Sequence, residues 1–160
     1  MNRDEASLDA QAGPGFRAGR SIGPPDRRNE MAASSVGFEH REGAIRVVPE
    51  TDEIVVVCLE GDFDLTSAPA LGDQIDRALE SGNELILDLS EVTFIDSSVI
   101  NVLVRASKAA SERGRAVVLQ LGTARIVERA LEIARIEQVL PMGHDRQEAV
   151  RMIQQQAETV

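Results

Sequence analysis

The side chains with the chemistry to act are few, and most of them are oxygens. Asp96, Ser97 and Ser98 form one run, where the apolar stretch ending at Ile95 gives way to a helical pattern. A serine at that point can cap the helix, its hydroxyl accepting from backbone N–H groups that lack a partner within the helix, which contributes about 1 kcal/mol. The same point suits a phosphate, because backbone donors converge there and the helix dipole presents its positive end. A phosphoserine at Ser97 would place roughly −1.5 to −2 of charge on whatever surface meets a partner. Asp62, Asp64, Asp88 and Asp96 fall at strand ends. Carboxylates there close turns and caps, or in pairs bind Mg2+.

The remaining combinations are poorer. His40, His144 and Cys58 do not make up a metal cluster. Cys58 lies in the apolar run Ile54–Leu59 and reads as a small buried hydrophobe. Ser97 with His144 and an aspartate has the ingredients of a hydrolase triad, but no nucleophile-elbow motif surrounds the serine. The sequence carries neither a Gly-x-x-x-x-Gly-Lys-Ser/Thr loop nor a Gly-x-Gly-x-x-Gly turn, so no cofactor is implied. The expectation is a protein that binds and does not catalyse.

These residues need a scaffold, and the hydrophobic pattern supplies one. Ala44–Val48 and Glu53–Glu60 are β-branched runs joined through Pro49-Glu50-Thr51-Asp52, a hairpin signal. Thr66 or Ser67 is placed to cap a helix whose apolar stripe is Leu71, Ile75 and Leu79, ending at Ser81-Gly82-Asn83. Glu84–Leu89 reads as a strand buried on both faces, and Ser97–Gly114 as a helix with Val99, Leu103, Ala106, Ser107 and Ala110 turned to the core. Ser98, Asn101, Val102, Arg105, Lys108 and Ala109 then face outward, which makes Val102 an exposed apolar contact one turn from Ser98. Ala116–Leu121 is a further strand, Thr123 caps a helix through Ala134, Glu137–Leu140 is an edge strand, and Asp145 caps a last helix to about Gln156. Strands alternating with helices predict an α/β fold: a mixed, mostly parallel sheet of four to five strands packed by about four α-helices.

Residues 1–38 differ in character, with Gly13-Pro14-Gly15, Gly23-Pro24-Pro25 and no sustained apolar period. They predict a disordered tail ahead of a folded domain over 39–160, with Met31 as an alternative start. The tail is charge-balanced, so the whole net charge of −10 falls on the domain. Such a surface repels phosphate backbones and anionic membranes and attracts a partner with a basic face. With no Trp, no Tyr and four Phe, the chain also lacks a base-stacking platform. A chain of 160 residues with one domain, without a long apolar run or a signal-peptide pattern, predicts a cytoplasmic protein.

Three stretches resemble the STAS domain of bacterial anti-sigma factor antagonists and sulfate-transporter tails. Gly61-Asp62-Phe63-Asp64-Leu65-Thr66 resembles the family's turn after its second strand. Leu87-Asp88-Leu89-Ser90 with Val92-Thr93-Phe94-Ile95-Asp96-Ser97-Ser98 resembles its central strand and phosphoserine loop, and Arg115–Leu121 with Val127–Leu131 its later strand and helix. The resemblance implies Ser97 as phosphoacceptor with Asp64 near it; Asp96 and the outward-facing Ser98, Asn101, Val102 and Arg105 complete the expected partner surface. The resemblance also implies an anti-sigma factor with serine kinase activity as partner, bound by the unphosphorylated antagonist and released by phosphorylation, and a serine phosphatase that resets the switch. Val99 stands where the family commonly has Gly, which predicts less room around Ser97. Two other functions fit the sequence: a phosphorylation-independent STAS regulatory subunit of a transport ATPase, and a nucleotide-binding module using Asp62, Asp64 and Asp88.

Overall fold

The computed structural model describes residues 41–159. The expected tail over 1–38, the boundary at 39 and His40 lie outside the described residues. Strands β1 (Ala44–Pro49) and β2 (Ile54–Phe63) form the expected antiparallel hairpin. Thr51 closes it, its Oγ accepting from the N–H groups of Glu53 and Ile54 at 3.2 and 3.0 Å. β3 (Glu84–Ile95), β4 (Val117–Gln120) and β5 (Met142–Gly143) add on in parallel, giving the spatial order β1-β2-β3-β4-β5. Helices α1 (Ala68–Glu80), α2 (Ser97–Glu112), α3 (Arg125–Ile133) and α4 (Arg146–Thr159) connect and cover the sheet.

The period of two sorts the strand residues into two cores. Val57, Leu59, Leu85, Leu87, Leu89, Val117 and Leu119 face the larger one, with the buried stripes of α1, α2 and α3 packed on them. Ile54, Val56, Ile86 and Val118 face the other side, where α4 contributes Ala149 and Ile153. Asp88 and Gln120 continue that second face, each 8% exposed. Arg146, at the start of α4, satisfies both: its guanidinium reaches Asp88 Oδ2 at 2.6 Å and Gln120 Oε1 at 2.6 Å, and Glu50 Oε2 at 2.9 Å.

Four local expectations change. β3 runs on past Leu89 to Ile95, because β2 follows it through two register shifts around Gly61, whose φ of +92° a side chain would strain. The long β3 carries Asp96 out to the end of β2. The expected strand over Glu137–Leu140 is instead a 3-10 turn, Ile136–Gln138; Ile136 and Leu140 are both buried, a spacing of four that suits a helical turn and not a pleat. Thr123 does not cap α3: Ala124 holds that position, and no side chain supplies the bond. Asp145 does cap α4, its Oδ1 accepting from the Glu148 N–H at 2.8 Å.

The fourth correction concerns Val102. α2 packs against α1 as well as the sheet, so its buried arc is wide: Val99, Val102, Leu103, Ala106 and Ala110. Val102 is 6% exposed and belongs to the core. A wheel that assumes one buried surface places it outside; the second neighbour turns it in. The exposed valine of α2 is Val104, at 41%.

Candidate functional site

The site is built where two chain segments leave the sheet side by side. β2 ends at Phe63 and turns through Asp64–Ser67 into α1; β3 ends at Ile95 and passes through Asp96 into α2. In the first turn nearly every polar group is tied. The Asp64 carbonyl accepts from the Ser67 and Ala68 N–H groups, and Ser67 Oγ accepts from the Asp64 N–H at 2.8 Å. Asp64 Oδ1 accepts from the N–H and the hydroxyl of Thr66 at 2.9 and 2.6 Å. Ser67 sits at the cap position of α1, but its hydroxyl serves Asp64 and not the helix.

Asp96 joins the two segments. Its Oδ1 accepts from the Ser98 and Val99 N–H groups at 2.9 and 3.2 Å and from the Ser98 hydroxyl at 2.5 Å. Its Oδ2 accepts from the Leu65 N–H of the neighbouring turn at 3.1 Å. One carboxylate thus caps α2 and clasps the β2–α1 turn to it. Burial works to raise the Asp96 carboxyl; the Ser98 hydroxyl and the Val99, Ser98 and Leu65 N–H groups outweigh it and hold the group below its ordinary 3.8.

Ser97 is the first residue of α2, not its cap. It is exposed, and its hydroxyl makes no hydrogen bond to any described residue. Asp96 therefore takes the structural role expected of Ser97. Val99 is 1% exposed, its side chain in the core.

Of the partner-surface residues expected from sequence, Asp96 and Ser98 flank Ser97, the turn holding Asp64 is bonded to Asp96 through Leu65, and Asn101 and Arg105 lie exposed farther along α2. Val102 drops out. Leu65, at the apex of the β2–α1 turn, is 71% exposed and joins the site. A lone apolar residue between two turn-formers carries no periodic signal, so the sequence offered nothing to single it out.

The other combinations do not converge. Asp88 pairs with Arg146, whereas Asp62 Oδ1 accepts from the Thr93 hydroxyl at 2.5 Å, farther along β3. Among the described residues no group of three His, Cys, Asp or Glu side chains could hold a metal ion, and no hydrogen bond links His144 to Ser97. No described helix is long and apolar enough to cross a membrane.

This arrangement, a mostly parallel sheet with an exposed serine opening the Asp-capped helix after its central strand, can be set beside known families. The STAS domain model matches residues 46–149. The chain belongs to the STAS domain family. Among solved structures, the domain is similar to an anti-sigma factor antagonist from Mycobacterium paratuberculosis (24% identity, TM-score 0.61, covering 71% of this chain and 95% of that one). It is similar to the Bacillus cell fate determinant SpoIIAA in its phosphorylated form (16%, 0.54, 69% and 99%). It is also similar to a variant of RsbS from Moorella thermoacetica (19%, 0.58, 71% and 97%). At these identities the likeness establishes a shared fold. Within this STAS domain, Asp96, Ser97 and Ser98 open the helix that follows the central strand, and the turn containing Asp64 lies beside them.

Proposed function

We propose that this STAS domain is an anti-sigma factor antagonist whose binding is switched by phosphorylation of Ser97. In this reading the unphosphorylated surface around Asp64, Asp96, Ser98, Asn101 and Arg105 binds an anti-sigma factor that is also a serine kinase. Binding releases the sigma factor for transcription. Transfer of a phosphoryl group to Ser97 ends the complex, and a serine phosphatase restores it. The observation that carries the reading is the free hydroxyl of Ser97: exposed, adjacent to a rigid carboxylate, and relieved of capping by Asp96. A relative in the same fold is described in a phosphorylated form.

The switch is electrostatic. A phosphate at Ser97 adds roughly −1.5 to −2 of charge beside Asp96, on a chain whose net charge is already −10. Placing it against an interface costs several kcal/mol in repulsion or unpaid desolvation, about a hundredfold or more in affinity. Intact mass with phosphosite mapping, on protein isolated from its native cells with phosphatases inhibited, should show one added phosphoryl group at Ser97. Ser97→Asp should weaken binding to the purified anti-sigma factor while shifting Tm by no more than about 1–2 °C, since Ser97 supports nothing in the fold. Protein that stays unmodified across growth conditions, with Ser97→Asp binding as wild type does, would refute the switch.

A further inference from the structure

We propose that Leu65 is the apolar anchor of the partner interface, a fixed knob that enters a hydrophobic pocket on the anti-sigma factor next to the place where Ser97 is read. The inference rests on the function proposed above and names the contact that supplies its affinity. Leu65 is 71% exposed, as Ile133 is at 74%; what sets Leu65 apart is that its backbone is tied to the carboxylate beside Ser97. Nothing in the fold uses that side chain; the fold uses its backbone. Its N–H is held by Asp96 Oδ2, and the residues on either side are locked by the Asp64, Thr66 and Ser67 bonds.

That construction matters energetically. A flexible loop must be ordered on binding, at a cost of about 0.5–1.5 kcal/mol for each immobilised side chain. Here the backbone is already ordered, so burial of Leu65 is offset only by its own rotamers. Hot spots of interfaces are such pre-positioned, fully desolvated side chains.

The position also fixes the occupant. Leu65 and Ser97 are both tied to Asp96, one through its Oδ2 and one as its chain neighbour, so a protein whose active site reaches the Ser97 hydroxyl covers Leu65 as well. The net charge of −10 favours a partner whose pocket has a basic rim. A second copy of this chain, equally acidic, fits less well. The occupant is therefore a serine kinase of the anti-sigma class, with an apolar pocket beside its phosphoryl-transfer site and basic residues around it.

The test compares wild type, Leu65→Ala and Leu65→Met for binding to the purified anti-sigma factor kinase with ADP, by calorimetry, and for phosphorylation by the same kinase with ATP. Leu65→Ala keeps the N–H that Asp96 holds, so its Tm should match wild type. Its Kd should rise about ten- to a hundredfold, with KM for phosphorylation rising in parallel and kcat little changed. Leu65→Met, of similar volume, should keep most of the affinity. Leu65→Ala binding as tightly as wild type would overturn the anchor while leaving the switch intact. Wild type that neither binds nor is phosphorylated would overturn the underlying function. Wild-type dimers in sedimentation that Leu65→Ala converts to monomers would give the knob to a second copy and overturn the partner assigned here.

Discussion

Removing the Asp96 carboxylate tests the reasoning at its centre, because this group is asked both to cap α2 and to hold the neighbouring turn. Asp96→Ala strips four hydrogen bonds: from the Ser98 and Val99 N–H groups, the Ser98 hydroxyl and the Leu65 N–H. Loss of an Asp N-cap costs about 1 kcal/mol. The Leu65 N–H is near the surface and can find water, so its loss adds only about 0.5–1 kcal/mol. The sum, about 1.5–2 kcal/mol, should lower Tm by roughly 5–10 °C for a domain of this size. Asp96→Asn separates the two roles. Its amide oxygen can still cap, but its nitrogen then faces the Leu65 N–H and cannot accept, so about a third to a half of the loss should remain. The pH dependence has a definite sign. The folded carboxyl lies below 3.8, so the unfolded chain binds the proton first as pH falls. The charge-dependent part of the stability is therefore complete above about pH 5 and lost as pH falls through the folded value. Urea titrations of wild type and Asp96→Ala at pH 7 and pH 3 should show the gap between them narrowing at the lower pH. An Asp96→Ala protein melting within about 1 °C of wild type, or a gap indifferent to pH, would refute the clasp.

Two further outcomes follow from other parts of the fold. Arg146→Met leaves the Asp88 carboxylate, 8% exposed, without its cation; the arginine is partly exposed, so the expected loss is about 1–3 kcal/mol. Adding Asp88→Leu should recover much of that loss in denaturant titrations, and a double variant no better than the single would show that the pair is not what holds α4 to β3. Arg135, exposed and left-handed at φ 55°, ψ 42°, sits just past the end of α3, where glycine is favoured. Arg135→Gly should raise stability by about 0.5–1 kcal/mol, and an unchanged or lower Tm would mean that the arginine side chain supports the 3-10 turn.

The sheet and helices were legible because their signals are local and periodic. The β-branched runs became the β1–β2 hairpin, and the stripe Leu71, Ile75 and Leu79 of α1 is buried, as hydrophobic spacing reports directly. Val102 was misplaced because α2 meets two neighbours, and spacing along one helix does not reveal a second helix beside it. Glu137–Leu140 was misread for lack of length: four residues cannot distinguish a pleat from a tight turn, and Ile136 and Leu140 settle it only once their burial is known. At the site, the run Asp96-Ser97-Ser98 pointed to the right helix end but not to the division of labour within it. Which oxygen caps depends on where β3 stops, and β3 runs six residues beyond its apolar segment Glu84–Leu89. The placement of Leu65 beside Ser97 was invisible because it rests on a backbone bond to Asp96, thirty-one residues away in sequence.

That division of labour bears on how a switch at Ser97 would work. A helix N-terminus normally welcomes a phosphate, because its first N–H groups lack partners and its dipole is positive there. Here Asp96 already occupies the Ser98 and Val99 N–H groups with an ionised carboxylate. A phosphoryl group on Ser97 would find those donors taken and a negative charge beside it, so little of its own charge would be absorbed by α2. In the proposed switch, the carboxylate that leaves the Ser97 hydroxyl out of the cap would also keep the product's charge directed outward, toward a bound partner. Had Ser97 itself been the cap, phosphorylation would have spent part of its effect on rearranging the helix end. With Asp96 as the cap, the fold could stay as it is on phosphorylation and the electrostatic change would fall on the interface, which is why Ser97→Asp is expected to leave Tm nearly unchanged while weakening the complex.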